Sequence, residues 1–164
     1  RLVNVLKTER ANFFILDSLY NTERTVTEGD LGMKQIEWLA RALDQHAEKS
    51  AIVICHHNVN QSEAKSGTAQ EGGLRDGAVL VDILRPRKHV KAFIFWHTHK
   101  WRRWELDGIH FINLPTTAYI FEPHEPRGWV DVRLEKRGMS LMLESLYKTH
   151  PKHGKKLVLR WREK

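Results

Sequence analysis

Two short apolar runs in this chain each end in histidines. Ala51-Ile52-Val53-Ile54-Cys55 leads into His56-His57, and Ala92-Phe93-Ile94-Phe95-Trp96 leads into His97-Thr98-His99. Short apolar runs of this kind, with β-branched and aromatic members, read as buried strands. Ligands of open α/β sheets bind where strands end, and neutral imidazole is the commonest metal ligand in proteins. Two strand ends carrying two histidines each therefore suggest metal ligation. On an extended strand His97 and His99 would face the same side. A two-metal hydrolytic centre holds its cations roughly 3.5–4 Å apart. Histidines alone cannot bridge such a pair, so the four residues make one side of a centre and lack its carboxylates.

The elements that must position them follow from pattern. Asn12-Phe13-Phe14-Ile15-Leu16 reads as a strand ending at Asp17-Ser18, and residues 21–30 as a polar loop. From about Gly32 to His46, Ile36, Leu39, Ala40, Leu43 and Ala47 recur at helical spacing, with Asp30 as the expected cap. Residues 58–74 form a long polar, Gly-rich loop directly after His56-His57. Long ordered loops in compact domains are often functional. Asp76 to Leu84 reads as a helix with Val79, Leu80, Ile83 and Leu84 inward, stopped by Pro86, and Val90 to Trp96 as the next strand. This alternation predicts a largely parallel sheet. Beyond His99 the pattern changes to short strand-like stretches at 101–106, 108–113, 117–121, 128–134, 139–147 and 156–161. Asp107-Gly108 is a hairpin signal between two of them. The expected fold is thus α/β: a layered mixed β-sandwich flanked by helices, parallel in its first part and antiparallel at its C-terminal end. No linker divides residues 1–164, which read as one domain.

Composition narrows the classes. At 41% hydrophobic and 29% charged residues the chain is globular rather than disordered. Its apolar runs fall far short of the roughly 20 residues of a membrane helix. The single cysteine, Cys55, excludes an internal disulfide and reads as a buried thiol. A net charge of +7 favours anionic partners. Nucleic acid is one such class, but the basic residues are scattered and form no long block. Lys100-Trp101-Arg102-Arg103-Trp104, directly after His99, is the cluster best placed to hold an anionic substrate. No Gly-rich phosphate loop, Gly-x-Ser-x-Gly elbow or CxxC pair occurs.

Together, Phe13-Phe14-Ile15-Leu16-Asp17-Ser18, then Gly32 with Gln35, Trp38 and Leu39, then Cys55-His56-His57-Asn58, then Trp96-His97-Thr98-His99 resemble the C-terminal half of the calcineurin-like metallophosphoesterases. The likeness is greatest to the cyclic-nucleotide phosphodiesterase and purple-acid-phosphatase-like branch, and it spans about Asn12 to Tyr119. The family carries five ordered blocks: Asp-x-His, Gly-Asp-x-x-Asp, Gly-Asn-His-Asp/Glu, a lone strand-end His, and Gly-His-x-His. Only the last two have counterparts here. The resemblance implies a metallophosphoesterase-like sandwich that is incomplete in these 164 residues. It also implies two divalent cations (Mn, Fe or Zn) and hydrolysis of phosphomonoesters or phosphodiesters by a metal-activated hydroxide. By position His56 and His97 resemble ligands of the second metal and His99 a ligand of the first. His57 and Asn58, with Lys100 and Arg102, fall on the substrate side or behind the ligands. Trp96 stands where the family has Gly, and Asn58 where relatives often have Pro. The bridging Asp, the amide ligand and the histidine that protonates the leaving group have no counterpart, so no catalytic residue is assigned and the chain alone is expected to be inactive. Two other classes remain open. One is a degenerate, non-catalytic module that binds an anionic partner. The other is a mononuclear zinc hydrolase using His56, His97 and His99, since three histidines and water make a workable catalytic zinc set.

Overall fold

A computed structural model describes residues 3–19, 28–59 and 73–163. Most of the expected loops at 21–30 and 58–74 lies outside the described residues. The described elements, in chain order, are β1 (Asn4–Lys7), β2 (Ala11–Ile15), α1 (Met33–Gln45), β3 (Ser50–Ile54), α2 (Gly77–Leu84), β4 (Val90–Phe95), β5 (Arg102–Leu106), β6 (Ile109–Asn113), β7 (Gly128–Glu135), β8 (Gly138–Ser145) and β9 (Lys156–Arg160).

Six strands form one sheet in the order β1-β2-β3-β4-β6-β5. Its centre, β2 to β3 to β4 to β6, is parallel, and β1 and β5 pair antiparallel at the two edges. The last three strands form a separate antiparallel sheet in the order β7-β8-β9. The expected mixed α/β architecture is therefore present, with its parallel part first and its hairpins last.

Period-2 alternation explains why the central strands are apolar throughout. On β3, Ala51 and Val53 enter the core beneath the helices, whereas Ile52 faces the second sheet. On β4 and β6, Phe93, Phe95, Ile109 and Phe111 take the helix side, while Ala92, Ile94 and Ile112 meet Met139, Leu141 and Leu159 of β8 and β9. The layers are thus helices, parallel sheet, antiparallel sheet. Ile36, Leu39 and Leu43 of α1 and Leu80 and Leu84 of α2 close the first core.

Several details differ from the sequence reading. Val79, expected inward on α2, is exposed and Val81 is buried in its place, and Ala47 lies exposed beyond the end of α1. The stretch 117–121 is not a strand. Thr116 makes an isolated bridge to Arg127, and the aromatic residues beyond it turn toward His99. Strand β1, which has little alternation to betray it, was not anticipated. Asp30 does not cap α1; the carboxylate of Asp76, just ahead of α2, accepts from the backbone N–H groups of Leu31 (3.1 Å) and Gly32 (2.8 Å) instead. Burial raises the pKa of Asp76, and those backbone donors oppose the rise. Asp76→Ala should lower stability by about 1–3 kcal/mol, because two amides at the start of α1 lose their acceptor. The urea midpoint reads this, and an unchanged midpoint would refute the capping role.

The Asp107-Gly108 turn behaves as expected, with φ of 50° and 75° at its two central residues, the left-handed pair that a tight hairpin needs. Arg162, beyond β9, ties the C-terminal strand to α2. Its guanidinium donates to the carbonyls of Leu84, Arg85 and Arg87 at the helix end, and to Val90 and Asp107.

Candidate metal centre

Parallel pairing of β3 with β4 (Ile54 opposite Ile94) brings their C-terminal ends out side by side. The chain remains stitched past the sheet. Cys55 N–H donates to Ile94 O (3.1 Å), and the N–H groups of Trp96 and His97 both donate to His56 O (3.2 and 3.0 Å). On the other flank Leu16 N–H donates to Ile54 O, which carries Asp17-Ser18 to the same end. The buried amide of Gln35 fixes that turn, accepting from Asp17 N–H and donating to the carbonyls of Asp17 and Leu31.

Here the imidazoles of His56, His57 and His97 converge, with a ligand nitrogen of each within 4.8 Å of the others. His97 Nδ1 lies 3.0 Å from His56 Nε2, and the His57 and His97 ring centroids are 4.5 Å apart. His57 is the most constrained. It is 1% exposed, and its Nδ1 lies 2.9 Å from Ser18 Oγ, which also accepts the His57 backbone N–H. Gly29 backs the ring so closely that a Cβ there would come within 2.4 Å of it. When Nδ1–H donates to Ser18, Nε2 keeps its lone pair, and that buried nitrogen has no hydrogen-bond partner among the described residues. A buried polar atom without a partner is costly; a cation would satisfy it. Burial first, then repulsion from His97 and His56, lowers the His57 pKa to about 4. Burial, His97 and His99 lower that of His56 too. Both rings are thus neutral at pH 7, the form that ligates metal. The donor set therefore fits a divalent cation. Among the described residues no carboxylate joins the three rings.

The depressed pKa has a stability consequence. His57 is neutral in the fold from about pH 4 upward, whereas the unfolded residue takes up its proton near pH 6.5. Its contribution is complete above that upper value and disappears as pH falls toward 4, amounting to about 3 kcal/mol. The metal-free chain should lose urea resistance across this window. His57→Gln, which cannot titrate there, should flatten the loss; parallel profiles for the two proteins would refute the assignment.

The remaining sequence candidates divide. His99 follows a turn, has φ 55° and does not join the three-ring group. Its Nδ1 bonds to Tyr119 O at 2.8 Å and its ring stacks on Phe121 (centroids 4.9 Å, 22°). With Nδ1 so engaged, Nε2 is the nitrogen left for a ligand. Asn58 is buried beside His57, and its carbonyl accepts from Leu74 N–H. Trp96, bulky where the family has Gly, turns outward, 36% exposed and edge-on to His56 (5.6 Å). Lys100 and Arg102 are ion-paired, Lys100 with Glu122 (2.5 Å) and Arg102 with buried Glu125. Sequence reasoning missed Ser18 as the partner of His57, Gly29 behind it, and the two glutamates. Only Ser18 carried any signal, as part of the resembling segment.

No family profile matches the chain. It is 26% identical over 122 residues to the 3′,5′-cyclic adenosine monophosphate phosphodiesterase CpdA of Haemophilus influenzae, a match over 69% of this chain and 43% of that protein. The CpdA of Escherichia coli K12 is 28% identical over 99 residues, 60% of this chain and 35% of that protein. A dimetal phosphatase from Danio rerio superposes with a TM-score of 0.65 at 15% identity, over 93% of this chain and 58% of that one. The chain thus spans less than half the length of these two curated relatives. Its fold is similar to part of that dimetal phosphatase. Sequence and structure both bear out the resemblance to the calcineurin-like metallophosphoesterases.

Proposed function

We propose that the chain supplies the histidine side of a two-metal phosphoesterase site, as part of a longer enzyme that hydrolyses phosphomonoesters or phosphodiesters. The observation that carries this is the convergence of His56, His57 and His97 at two parallel strand ends, with a buried nitrogen of His57 unpartnered among the described residues. Divalent cations held there would polarise a phosphoryl oxygen and lower the pKa of a coordinated water. The role of this chain is to hold neutral imidazoles in place. His56 and His97 are the ligands proposed for one cation and His99, through Nε2, for the other. Ser18 orients His57, which stands as a further nitrogen donor or as the wall behind the ligands. The carboxylates that bridge two cations belong to blocks that this sequence does not contain.

The purified chain with Mn2+ or Zn2+ should therefore release no p-nitrophenol from p-nitrophenyl phosphate or bis(p-nitrophenyl) phosphate above the metal-only background. Robust hydrolysis that depends on His97 would overturn the proposal. It would favour a mononuclear zinc hydrolase, with His57 grouped with His56 and His97 in place of the expected His99. The reading frame upstream of the Arg1 codon gives an independent check: Asp-x-His, Gly-Asp-x-x-Asp and Gly-Asn-His-Asp/Glu should be encoded there in order. A purely anion-binding module is less well supported, because Glu122 and Glu125 already neutralise Lys100 and Arg102.

A further inference from the structure

We propose that Tyr119 and Phe121 form a stacking subsite for a planar aromatic group, a nucleobase or aryl substituent, carried by the phosphoester. This rests on the histidine group being the phosphoester site. Strand β6 runs parallel to β4, with Asn113 opposite Phe95, so its C-terminal end emerges beside His97-Thr98-His99. Leu114 N–H donates to Phe95 O, and Thr98 Oγ1 donates to Asn113 Oδ1 (2.6 Å), which fastens the two exits together. The segment that follows lays its aromatics on the last histidine. The Phe121 ring stacks on that of His99, and Tyr119 stands edge-on to both, 4.8 Å from His99 and 5.2 Å from Phe121.

This packing fixes the rings without covering them. Tyr119 is 62% and Phe121 64% exposed. Large apolar side chains clustered at the surface mark binding sites far more often than isolated ones do. The position narrows the ligand. His99 is two residues from His97, whose Nδ1 lies 3.0 Å from His56 Nε2, so the platform borders the imidazole group. A phosphoester held at the imidazoles has its substituents within reach of the platform. Exposed aromatic faces favour planar π systems, and such stacking tolerates any base. Lys100, next to His99, is ion-paired with Glu122 next to Phe121, so the platform offers stacking rather than a second phosphate contact.

The test is a titration of the zinc-loaded chain with adenosine 5′-monophosphate and, separately, ribose 5-phosphate, which has the same phosphate and no base. Aromatic-ring NMR resonances and calorimetry are the readouts. The nucleotide should bind about tenfold more tightly and shift the ring signals of Tyr119 and Phe121, as expected for one stacked base. In Tyr119→Leu/Phe121→Leu, which keeps apolar bulk but loses planarity, its affinity should fall to that of ribose 5-phosphate, whose own affinity stays unchanged. Equal affinities in the unaltered chain, an unresponsive double variant, or binding of neither compound each overturns the subsite. Zinc uptake, measured alone and in His97→Ala, tests the underlying reading separately, since uptake indifferent to His97 sinks the metal site whatever the nucleotide does.

Discussion

Zinc uptake by the metal-free chain should collapse in His97→Ala and persist, weakened, in Ser18→Ala. His97 is the hinge of the group, with Nδ1 3.0 Å from His56 Nε2 and its ring against that of His57. Without a metal, His56 and His97 satisfy each other, so a cation must displace that hydrogen bond before it gains two ligands. Removing His97 takes away one donor and leaves only His56 and His57, whose ring centroids are 4.8 Å apart. The loss in affinity should exceed the roughly 10–100-fold cost of deleting an outer partner of a ligand. Ser18→Ala removes the bonds at His57 Nδ1 and at the His57 backbone N–H but no proposed ligand, so its effect should fall inside that range if His57 is a donor and close to zero if it is only a wall. His99→Ala leaves the three-ring group untouched and should cost this first cation less than His97→Ala does. Calorimetric titration distinguishes the three variants. Equal zinc affinity in His97→Ala and the unaltered chain would remove the basis for the candidate site.

Phe111→Ala should destabilise the chain by about 3–5 kcal/mol, the usual cost of deleting a large buried aromatic. Phe111 has no exposed surface, lies flat against the Trp104 indole (centroids 3.8 Å, 7°) and meets Phe93 edge-on at 5.7 Å. The cavity would open on the helix side of β4, β5 and β6, in the core that Phe111 shares with Phe93 and Trp104. Because domains are stable by only about 5–15 kcal/mol, such a loss is a large share of the total. Phe121→Ala is the matched control. The same deletion at a residue 64% exposed should change stability by no more than about 0.5 kcal/mol. Urea denaturation of both variants reads the contrast. Similar midpoints would show that the packing around Phe111 is not what holds the parallel sheet.

The sequence by itself determined the repeating parts. Buried central strands must be apolar on both faces, so residues 51–55 and 90–96 announced β3 and β4, and Ile36, Leu39 and Leu43 announced α1 by period. Asp107-Gly108 announced its hairpin because only a few residues accept left-handed φ. The histidines were legible because polar residues ending apolar strands are conspicuous. Tertiary structure decided which histidines meet. Spacing paired His97 with His99, as two same-face residues of a strand, but β4 ends at Phe95 and the chain turns at His99. His57 meets His97 instead, and His99 goes to Tyr119 and Phe121. The partners of Lys100 and Arg102, the cap of α1 by Asp76 and the anchoring of α2 by Arg162 were equally invisible. Each joins residues more than 20 positions apart through hydrogen bonds or ion pairs that leave no periodic trace. Periodicity encodes which face of an element is buried; only the folded chain sets which side chains from different elements share a point in space.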